Sequence, residues 1–303
     1  MPTVRVILPY FGKWPAWMRF YLAGCARNPE FNFLLVTDSG QVPAPPNVQF
    51  VQCELEHIRE RVREKLGLSV PLRKPYKLCD LKPAFGLIFD DLLGGYEFWG
   101  TGDIDCVYGR LCDYASAEVL GRVDIFSCRK EYVSGVLHFV RNIPKMNNLF
   151  RNSPDWQTIF AMDRYCGFDE VISDFHGLIL GGTVWDPKRE FCSYTEIVFE
   201  AIKRGEVRGY FETVALEEVH SIVEINDRGV FENWTAYALV HLLNRKARWF
   251  FNVPDWREIP PRCYLTRFGV IRAEQAGLLH QLLSFEYMKA GASALRKVLK
   301  RIK

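Results

Sequence analysis

The chain has 303 residues, 49% of them hydrophobic, and a formal net charge of +3 at pH 7. This length allows a large buried core, so we expect one elaborate α/β domain or two small ones. The small charge, without any stretch that combines basic and aromatic residues, excludes a nucleic-acid reader. The start of the chain does not resemble a signal peptide, and no apolar run reaches the length of about 18 residues that predicts a membrane span.

The nine cysteines are scattered singly along the chain. An odd count without close metal-type spacing predicts reduced, mostly buried thiols and argues against a zinc site. Reduced thiols are typical of the cytoplasm, so we expect a cytoplasmic protein.

The first third of the chain alternates between predicted strands and helices. Strands are expected over residues 4–10, 31–37, 48–52 and 96–102, and helices over residues 14–25, 54–66 and 77–93. The second strand is a nearly continuous apolar run, which indicates a parallel strand covered on both faces. This alternation predicts a doubly wound α/β domain.

The rest of the chain is less regular. Strands are expected over residues 123–127 and 136–140, and helices over residues 143–150 and 234–243, whereas residues 184–231 give no clear assignment. One of the later strands should pair antiparallel with the sheet.

The end of the chain has its own composition. After Glu286 there are no acidic residues, and lysines and arginines alternate with aliphatic residues, which predicts a basic amphipathic helix. Two roles remain open. The helix binds weakly to an anionic membrane, or it packs its apolar side on the domain.

Two carboxylates, Asp103 and Asp105, follow the aromatic strand that ends near Gly102. Gly100 and Gly102 would let the backbone bend so that both carboxylates face one point. Mg²⁺ and Mn²⁺ prefer oxygen ligands and keep positions open for phosphate oxygens. Aspartate is also a common turn residue, so the pair alone leaves an ordinary turn open.

Other polar residues fall at the same kind of position. Pro9, Tyr10 and Asp38 also lie at the carboxyl ends of predicted strands, where α/β sheets bind their ligands. Tyr10 would stack on a base or belong to the core, and Asp38 would bind the base or ribose or cap its loop. Their convergence favours a binding role for the Asp pair.

Two runs carry a resemblance to a known family. Residues 76–86 contain K-x-x-D-x-K-P, and residues 96–109 contain D-x-D-x-x-x-G; further blocks are residues 134–142, 167–170 and 241–246. In these blocks the chain resembles an uncharacterised bacterial family that is described as glycosyltransferase-like and associated with polysaccharide biosynthesis.

The resemblance covers most of the chain and implies a GT-A-like, Rossmann-like mixed sheet flanked by helices. We expect that domain over residues 1–270 and the helical tail over residues 271–303. The implied function is a metal-dependent glycosyltransferase in cell-surface polysaccharide synthesis, cytoplasmic or peripheral at the inner membrane. It would use Mn²⁺ or Mg²⁺ to move a sugar from a nucleotide-sugar donor to a glycan or lipid-linked acceptor.

The resemblance also implies roles for single residues. Asp103 and Asp105 are the expected metal ligands, with Asp105 as the direct one. His241 is a third ligand by position, with His176 and His220 as rivals; a histidine among apolar residues is otherwise a core residue.

The expected donor-binding residues are Pro9, Tyr10, Asp38, Lys77, Asp80, Lys82, Gly102 and Asp103. Lys77 and Lys82 would meet the diphosphate as point charges or lie solvated on a helix, and Asp80 could simply pair with Lys77. Asp169 and Glu170 are the expected catalytic residues. One of them would be the general base if the reaction inverts the anomeric centre. Otherwise they would bind the donor or begin a helix.

Two other functions remain open. Asp103 and Asp105 also match the start of haloacid-dehalogenase-type phosphatases, in which the first Asp is a nucleophile, although that motif normally closes the first strand of its chain. The other alternative is a catalytically silent GT-A-like scaffold that binds nucleotides without turnover.

Overall fold

The computed structural model describes residues 1–172, 184–185, 189–217 and 222–275. The strands are β1 (Val4–Tyr10), β2 (Phe31–Thr37), β3 (Val48–Gln52), β4 (Phe98–Gly102), β5 (Cys106–Tyr108), β6 (Ile125–Ser127), β7 (Leu137–Arg141), β8 (Gly209–Phe211), β9 (Ala215–Leu216), β10 (Val223–Asn226), β11 (Gly229–Glu232), β12 (Thr235–Tyr237), β13 (Leu239–His241), β14 (Arg262–Thr266) and β15 (Gly269–Arg272). The helices are α1 (Met18–Ala26), α2 (Leu55–Leu66), α3 (Leu78–Leu81), α4 (Phe85–Ile88), α5 (Ala117–Arg122), α6 (Pro144–Asn147), α7 (Trp156–Ala161) and α8 (Tyr194–Lys203).

The central sheet has seven strands in the order β3-β2-β1-β4-β7-β6-β8. The first four strands in this order are parallel, and β7 runs antiparallel to both β4 and β6. The predicted α/β class is therefore confirmed, with a mixed sheet flanked by helices and an antiparallel strand beside the Asp103 strand.

Helices cover both faces of this sheet. Ile7 of β1 packs in one apolar cluster with side chains of α2, α4, α7 and α8, whereas Val6 and Leu8 pack in a second cluster with α1 and α5. The side chains divide in this way because successive residues of a strand point to opposite faces. Each fully buried aliphatic side chain contributes roughly 1.5–3 kcal/mol, which explains the continuous apolar runs of the parallel strands.

Two smaller sheets complete the described fold, in the orders β5-β13-β9 and β12-β11-β10-β14-β15. The predicted helix over residues 234–243 is wrong, because this segment forms β12 and β13. Asn233 and Trp234 have φ angles of 49° and 68° and make a two-residue hairpin turn, a conformation that no α-helix contains. β13 then pairs with β5, so a nonlocal contact overrides the local apolar pattern.

The predicted helix over residues 77–93 is also broken. It consists of α3 and α4 with a 3₁₀ turn, Lys82–Ala84, between them. Pro83 lies in that turn, and a proline cannot donate the main-chain hydrogen bond that a continuous helix requires. The break separates Lys77 and Asp80 from Lys82.

The expected domain boundary at residue 270 lies inside a strand, because β15 runs from Gly269 to Arg272. Most of the predicted basic tail, residues 276–303, lies outside the described residues. In the part of the chain that the structure describes, none of the helices combines the length and hydropathy of a membrane span.

Asn28, which is fully buried, connects the end of α1 to the segment after β5. Its amide nitrogen donates to the Gly24 carbonyl (2.8 Å) and the Gly109 carbonyl (2.7 Å), and its oxygen accepts from the Leu111 N–H (2.7 Å). An unpaired buried polar group destabilises a fold by roughly 1–3 kcal/mol.

We therefore predict that Asn28→Ala lowers the free energy of unfolding by about 2–4 kcal/mol. Urea denaturation measures the change, and Asn152→Ala, at an exposed position, is the matched control with an expected change below about 0.5 kcal/mol. Equal midpoints for the two variants would contradict the prediction.

Candidate functional site

The register of the central sheet brings several predicted site residues to one edge. Tyr10 of β1 lies beside Thr37 of β2, and Ile7 lies beside Thr101 of β4. The carboxyl ends of three parallel strands therefore meet, and the start of the antiparallel β7 adjoins the end of β4. We call this the polar edge; it is where ligands bind in open α/β sheets.

Asp103 and Asp105 lie in the turn that leaves this edge. The Cys106 N–H donates to the Asp103 carbonyl (3.2 Å), which closes a β-turn between β4 and β5. The predicted bend at Gly100 and Gly102 is wrong, because both glycines lie inside β4 and neither has a positive φ. A Cβ atom on Gly102 would lie 2.5 Å from a buried tyrosine hydroxyl, so close packing explains this glycine.

Asp103 pairs with Lys82. The Lys82 Nζ donates to Asp103 Oδ1 (2.7 Å) and to the Gly135 carbonyl (2.8 Å), and it lies 3.8 Å from Asp169 Oδ2. Only 7% of the Lys82 side chain is exposed, against 29% for Asp103. Burial lowers the pKa of Lys82, but Asp103, Cys79 and Asp169 together outweigh burial, and the pKa is raised well above its usual value. Lys82 is therefore a buried permanent cation.

Asp105 faces different partners. Its Oδ2 lies 3.1 Å from His241 Nε2 and contacts the Lys246 ammonium, and its carbonyl accepts from the Leu242 N–H (2.9 Å). Burial raises the pKa of Asp105, but the hydrogen bond and charge of His241, together with Lys246, bring it well below the usual range. Asp105 is thus a buried carboxylate that stays ionised.

His241 reaches Asp105 because β13 pairs with β5, with His241 directly opposite Cys106. The Glu217 Oε1 atom lies 3.6 Å from the His241 Nδ1 atom, so a carboxylate is close to each ring nitrogen. Burial lowers the pKa of His241, but its contacts with Asp105 and Glu217 outweigh burial and raise the pKa to about 10.

The donor atoms in this cluster fit a divalent cation. The candidate ligand atoms of Asp105, Cys106 and His241 all lie within 4.8 Å of one another, and the buried His241 Nδ1 has no hydrogen bond. Burial and nearby negative charge raise the pKa of the Cys106 thiol well above its usual value, so this thiol is a poor ligand. Asp105 offers one oxygen, and His241 offers one nitrogen once a bound cation has displaced its proton, a pair compatible with Mn²⁺.

Asp169 is buried and Glu170 is half-buried, and both join the Asp103 side of the site through Lys82. Glu170 Oε1 accepts from the Gly135 N–H (2.7 Å), and Asp169 Oδ1 accepts from the Tyr165 hydroxyl (2.9 Å). Burial raises the pKa of Glu170 to about 7 against the opposing charge of Lys82, and it raises the pKa of Asp169 well above its usual value. A carboxyl that titrates near neutral pH is suited to proton transfer.

Lys77 and Asp80 are not part of the polar edge. Lys77 Nζ donates to Asp80 Oδ2 (2.8 Å) and to two main-chain carbonyls (2.6 and 2.9 Å), so all three of its hydrogens are used inside the protein. Asp80 accepts from the N–H groups of Cys166 (2.9 Å) and Phe168 (2.8 Å). The expected contact of this pair with a diphosphate does not fit their full burial. Instead they hold the segment that ends at Asp169.

Pro9, Tyr10 and Asp38 lie at the polar edge with partners of their own. Asp38 Oδ1 accepts from the Gly12 N–H (2.7 Å), which is the loop-capping alternative. The Tyr10 ring stacks on Trp14, with centroids 5.4 Å apart and planes at 12°. Pro9 and Tyr10 are half-buried at the end of β1, so one face of the Tyr10 ring is already occupied.

The structure adds residues that sequence reasoning missed. Lys246 belongs to the block of residues 241–246 that carries the family resemblance, but the resemblance gave it no role. No local sequence pattern identifies Glu217 or Cys106 as site residues. His176 and His220, the rival metal ligands, lie outside the described residues.

Comparisons with known proteins identify the family. A family of unknown function (DUF6625) matches residues 6–250, and the chain belongs to it. None of the curated proteins matches the sequence.

Two solved structures are similar at low identity. One is the galactosyltransferase LgtC in complex with donor and acceptor sugar analogues. It has 12% identity and a TM-score of 0.32, and the match covers 53% of this chain and 66% of that one. The other is mouse xyloside xylosyltransferase 1 in its apo form. It has 8% identity and a TM-score of 0.44, and the match covers 79% of this chain and 97% of that one. At these TM-scores the function has to be argued from the site.

We predict that Gly135→Ala disrupts the site. A Cβ atom there would lie 2.4 Å from Asp169 Oδ2 and 3.1 Å from Lys82 Nζ, so Asp169 must move away from Lys82. We expect a loss of about 1–3 kcal/mol in the free energy of unfolding. The control is Gly121→Ala in α5, where the new methyl group meets nothing within 4 Å and should be neutral or slightly stabilising. Equal unfolding free energies for the two variants would show that Gly135 has room for a side chain.

A second prediction concerns pH. The pKa of Glu170 is raised from 4.5 to about 7 in the fold, so the folded protein binds this proton more tightly than the unfolded chain does. The resulting stabilisation is complete below a pH of about 4.5 and is lost as the pH rises through about 7.

The unfolding free energy of the wild type should therefore fall relative to that of Glu170→Gln between about pH 5 and about pH 8. Urea denaturation at both pH values gives the difference. Glu118→Gln, at a position 71% exposed, should follow the wild type. Parallel profiles for wild type and Glu170→Gln would contradict the prediction.

Proposed function

We propose that this member of the DUF6625 family is a glycosyltransferase that moves a sugar from a nucleotide-sugar donor to a glycan or lipid-linked acceptor. The observation that carries the proposal is the contact of Asp105 with both His241 and Lys246 beside the Asp103–Lys82 pair. Carboxylates that can bind a cation and ammonium groups that can bind phosphates thus lie next to the polar edge, where α/β sheets bind their ligands.

The donor side of the proposal rests on charge. Asp105 and His241 would hold Mn²⁺ or Mg²⁺, and Asp103 would take part from the same turn. When bound, such an ion offsets the negative charge that builds on the departing diphosphate. Lys246 would exchange its contact with Asp105 for phosphate oxygens, as a point charge on a flexible chain. Tyr10 and Asp38, at the ends of β1 and β2, would contact the nucleoside.

The acceptor side rests on Asp169 and Glu170. In an inverting reaction the acceptor oxygen bonds to the anomeric carbon while its proton passes to a carboxylate. The bond to the diphosphate breaks and its electron pair leaves with the phosphate oxygen. Glu170 is the proposed base, because its pKa of about 7 is close to neutral pH and the Gly135 N–H holds its carboxylate. Asp169, whose side chain is only 2% exposed, would hold Lys82 and Tyr165 in place beside Glu170.

The cellular setting is a separate part of the proposal. We propose that the reaction belongs to cell-surface polysaccharide synthesis on the cytoplasmic side of the membrane, and that the basic tail contacts the membrane. Localisation experiments test both points independently of the chemistry.

The metal prediction is that the wild type binds a nucleoside diphosphate, with UDP and GDP as probes, in calorimetry with Mn²⁺ and not with EDTA. Asp105→Asn should weaken this binding by at least about tenfold, because one ligand oxygen and one negative charge are lost. Asp113→Asn is the control, since Asp113 lies after β5 and is 54% exposed. Unchanged metal dependence in Asp105→Asn, with the fold intact by thermal melting, would refute the assignment.

Turnover separates the enzyme from the silent scaffold. Release of nucleoside diphosphate from a panel of nucleotide sugars is expected for the wild type and should be lost in Glu170→Gln. Binding without release for every donor would identify a scaffold instead.

A further inference from the structure

An exposed aromatic ring, that of Tyr76, adjoins the acid pair. Tyr76 is 65% exposed, and its ring packs edge-on against Tyr165, with centroids 4.8 Å apart and planes at 65°. The Tyr165 hydroxyl in turn donates to Asp169 Oδ1 (2.9 Å). Tyr76 is therefore a single side chain away from Asp169, and its charge environment includes both Asp169 and Asp103.

The backbone on both sides of this aromatic pair is pinned. Tyr76 lies in a 3₁₀ turn between Pro75 and Lys77, whose ammonium is buried and makes three hydrogen bonds. Asp80, the partner of Lys77, accepts hydrogen bonds from the main-chain N–H groups of Cys166 and Phe168. Both residues lie between Tyr165 and Asp169 in the chain. One buried ion pair thus holds both the turn that carries Tyr76 and the segment that carries Tyr165.

This arrangement suits a ligand platform. An aromatic ring that is held in place before binding loses little freedom when a ligand covers it, and its face is apolar. Two other exposed aromatic side chains differ. Trp249 is 86% exposed and packs on Phe250, and Trp234 occupies a hairpin turn; no described contact connects either one to the acids.

We infer that Tyr76 is the acceptor platform, on which the apolar C–H face of a pyranose ring stacks while its hydroxyls face the half-buried Glu170 beside Asp169. The inference rests on the proposed function and names its acceptor class as a saccharide. A nucleotide base is the less suitable occupant, because the nucleoside is assigned to Tyr10 and Asp38 at the ends of β1 and β2. Tyr76 touches substrate in this assignment through its ring and not through its hydroxyl.

The test uses saturation-transfer NMR on the full chain. The probes are the methyl α- and β-pyranosides of glucose, galactose, mannose and N-acetylglucosamine at millimolar concentration. We expect at least one of them to bind the wild type, Tyr76→Phe and the control Trp249→Ala alike. Tyr76→Ala should weaken that binding about tenfold. Its melting temperature should stay close to the wild-type value because the side chain is mostly exposed.

Two results would overturn the inference. Either none of the pyranosides binds the wild type, or Tyr76→Ala binds them as the wild type does. Calorimetry with UDP, GDP and Mn²⁺ on the same samples separates this failure from that of the proposed function. Absence of nucleotide binding in the wild type would count against the proposed transferase function. Unchanged nucleotide binding in Tyr76→Ala, together with weakened saccharide binding, would support both the transferase function and the Tyr76 platform.

Discussion

The buried ammonium of Lys82 holds three parts of the chain together at the polar edge. It contacts Asp103 after β4, the Gly135 carbonyl before β7, and Asp169 from a more distant segment. A buried charge is tolerated only when it is paired and hydrogen-bonded, so each of these contacts constrains the others. Gly135 fits this constraint, because a methyl group there would collide with the Asp169 carboxylate and crowd the Lys82 ammonium.

The two lysines of one short motif have different roles. Lys77 and Asp80 are three residues apart and pair inside the protein, where they hold the Cys166–Phe168 main chain. Lys82 comes after α3, in the turn that contains Pro83, and its side chain therefore reaches Asp103. Even in a continuous helix Lys82, two residues after Asp80, would point away from the Lys77–Asp80 pair, and the turn at Lys82–Ala84 places it in a separate element.

The environments of the acids differ sharply across the polar edge. Asp105 contacts His241 and Lys246, and its pKa is held well below the usual range. Asp169 and Glu170 share one nearby cation, Lys82, and burial raises the pKa of both. Asp105 thus stays charged, while Asp169 and Glu170 readily take up a proton. Sites that combine charge stabilisation with proton transfer need this separation of pKa values.

The sequence by itself determined the strands β1, β2 and β3 and the position of Asp103 at the carboxyl edge, because apolar runs and strand ends are local patterns. Only the tertiary structure decided that His241 meets Asp105 across 136 residues, since that contact depends on the pairing of β13 with β5. That pairing and the β11–β12 hairpin together turned a predicted helix into strands. Local preference is weak, and burial against a distant strand outweighs it, so nonlocal side-chain partners such as Glu217 leave no trace in the local pattern.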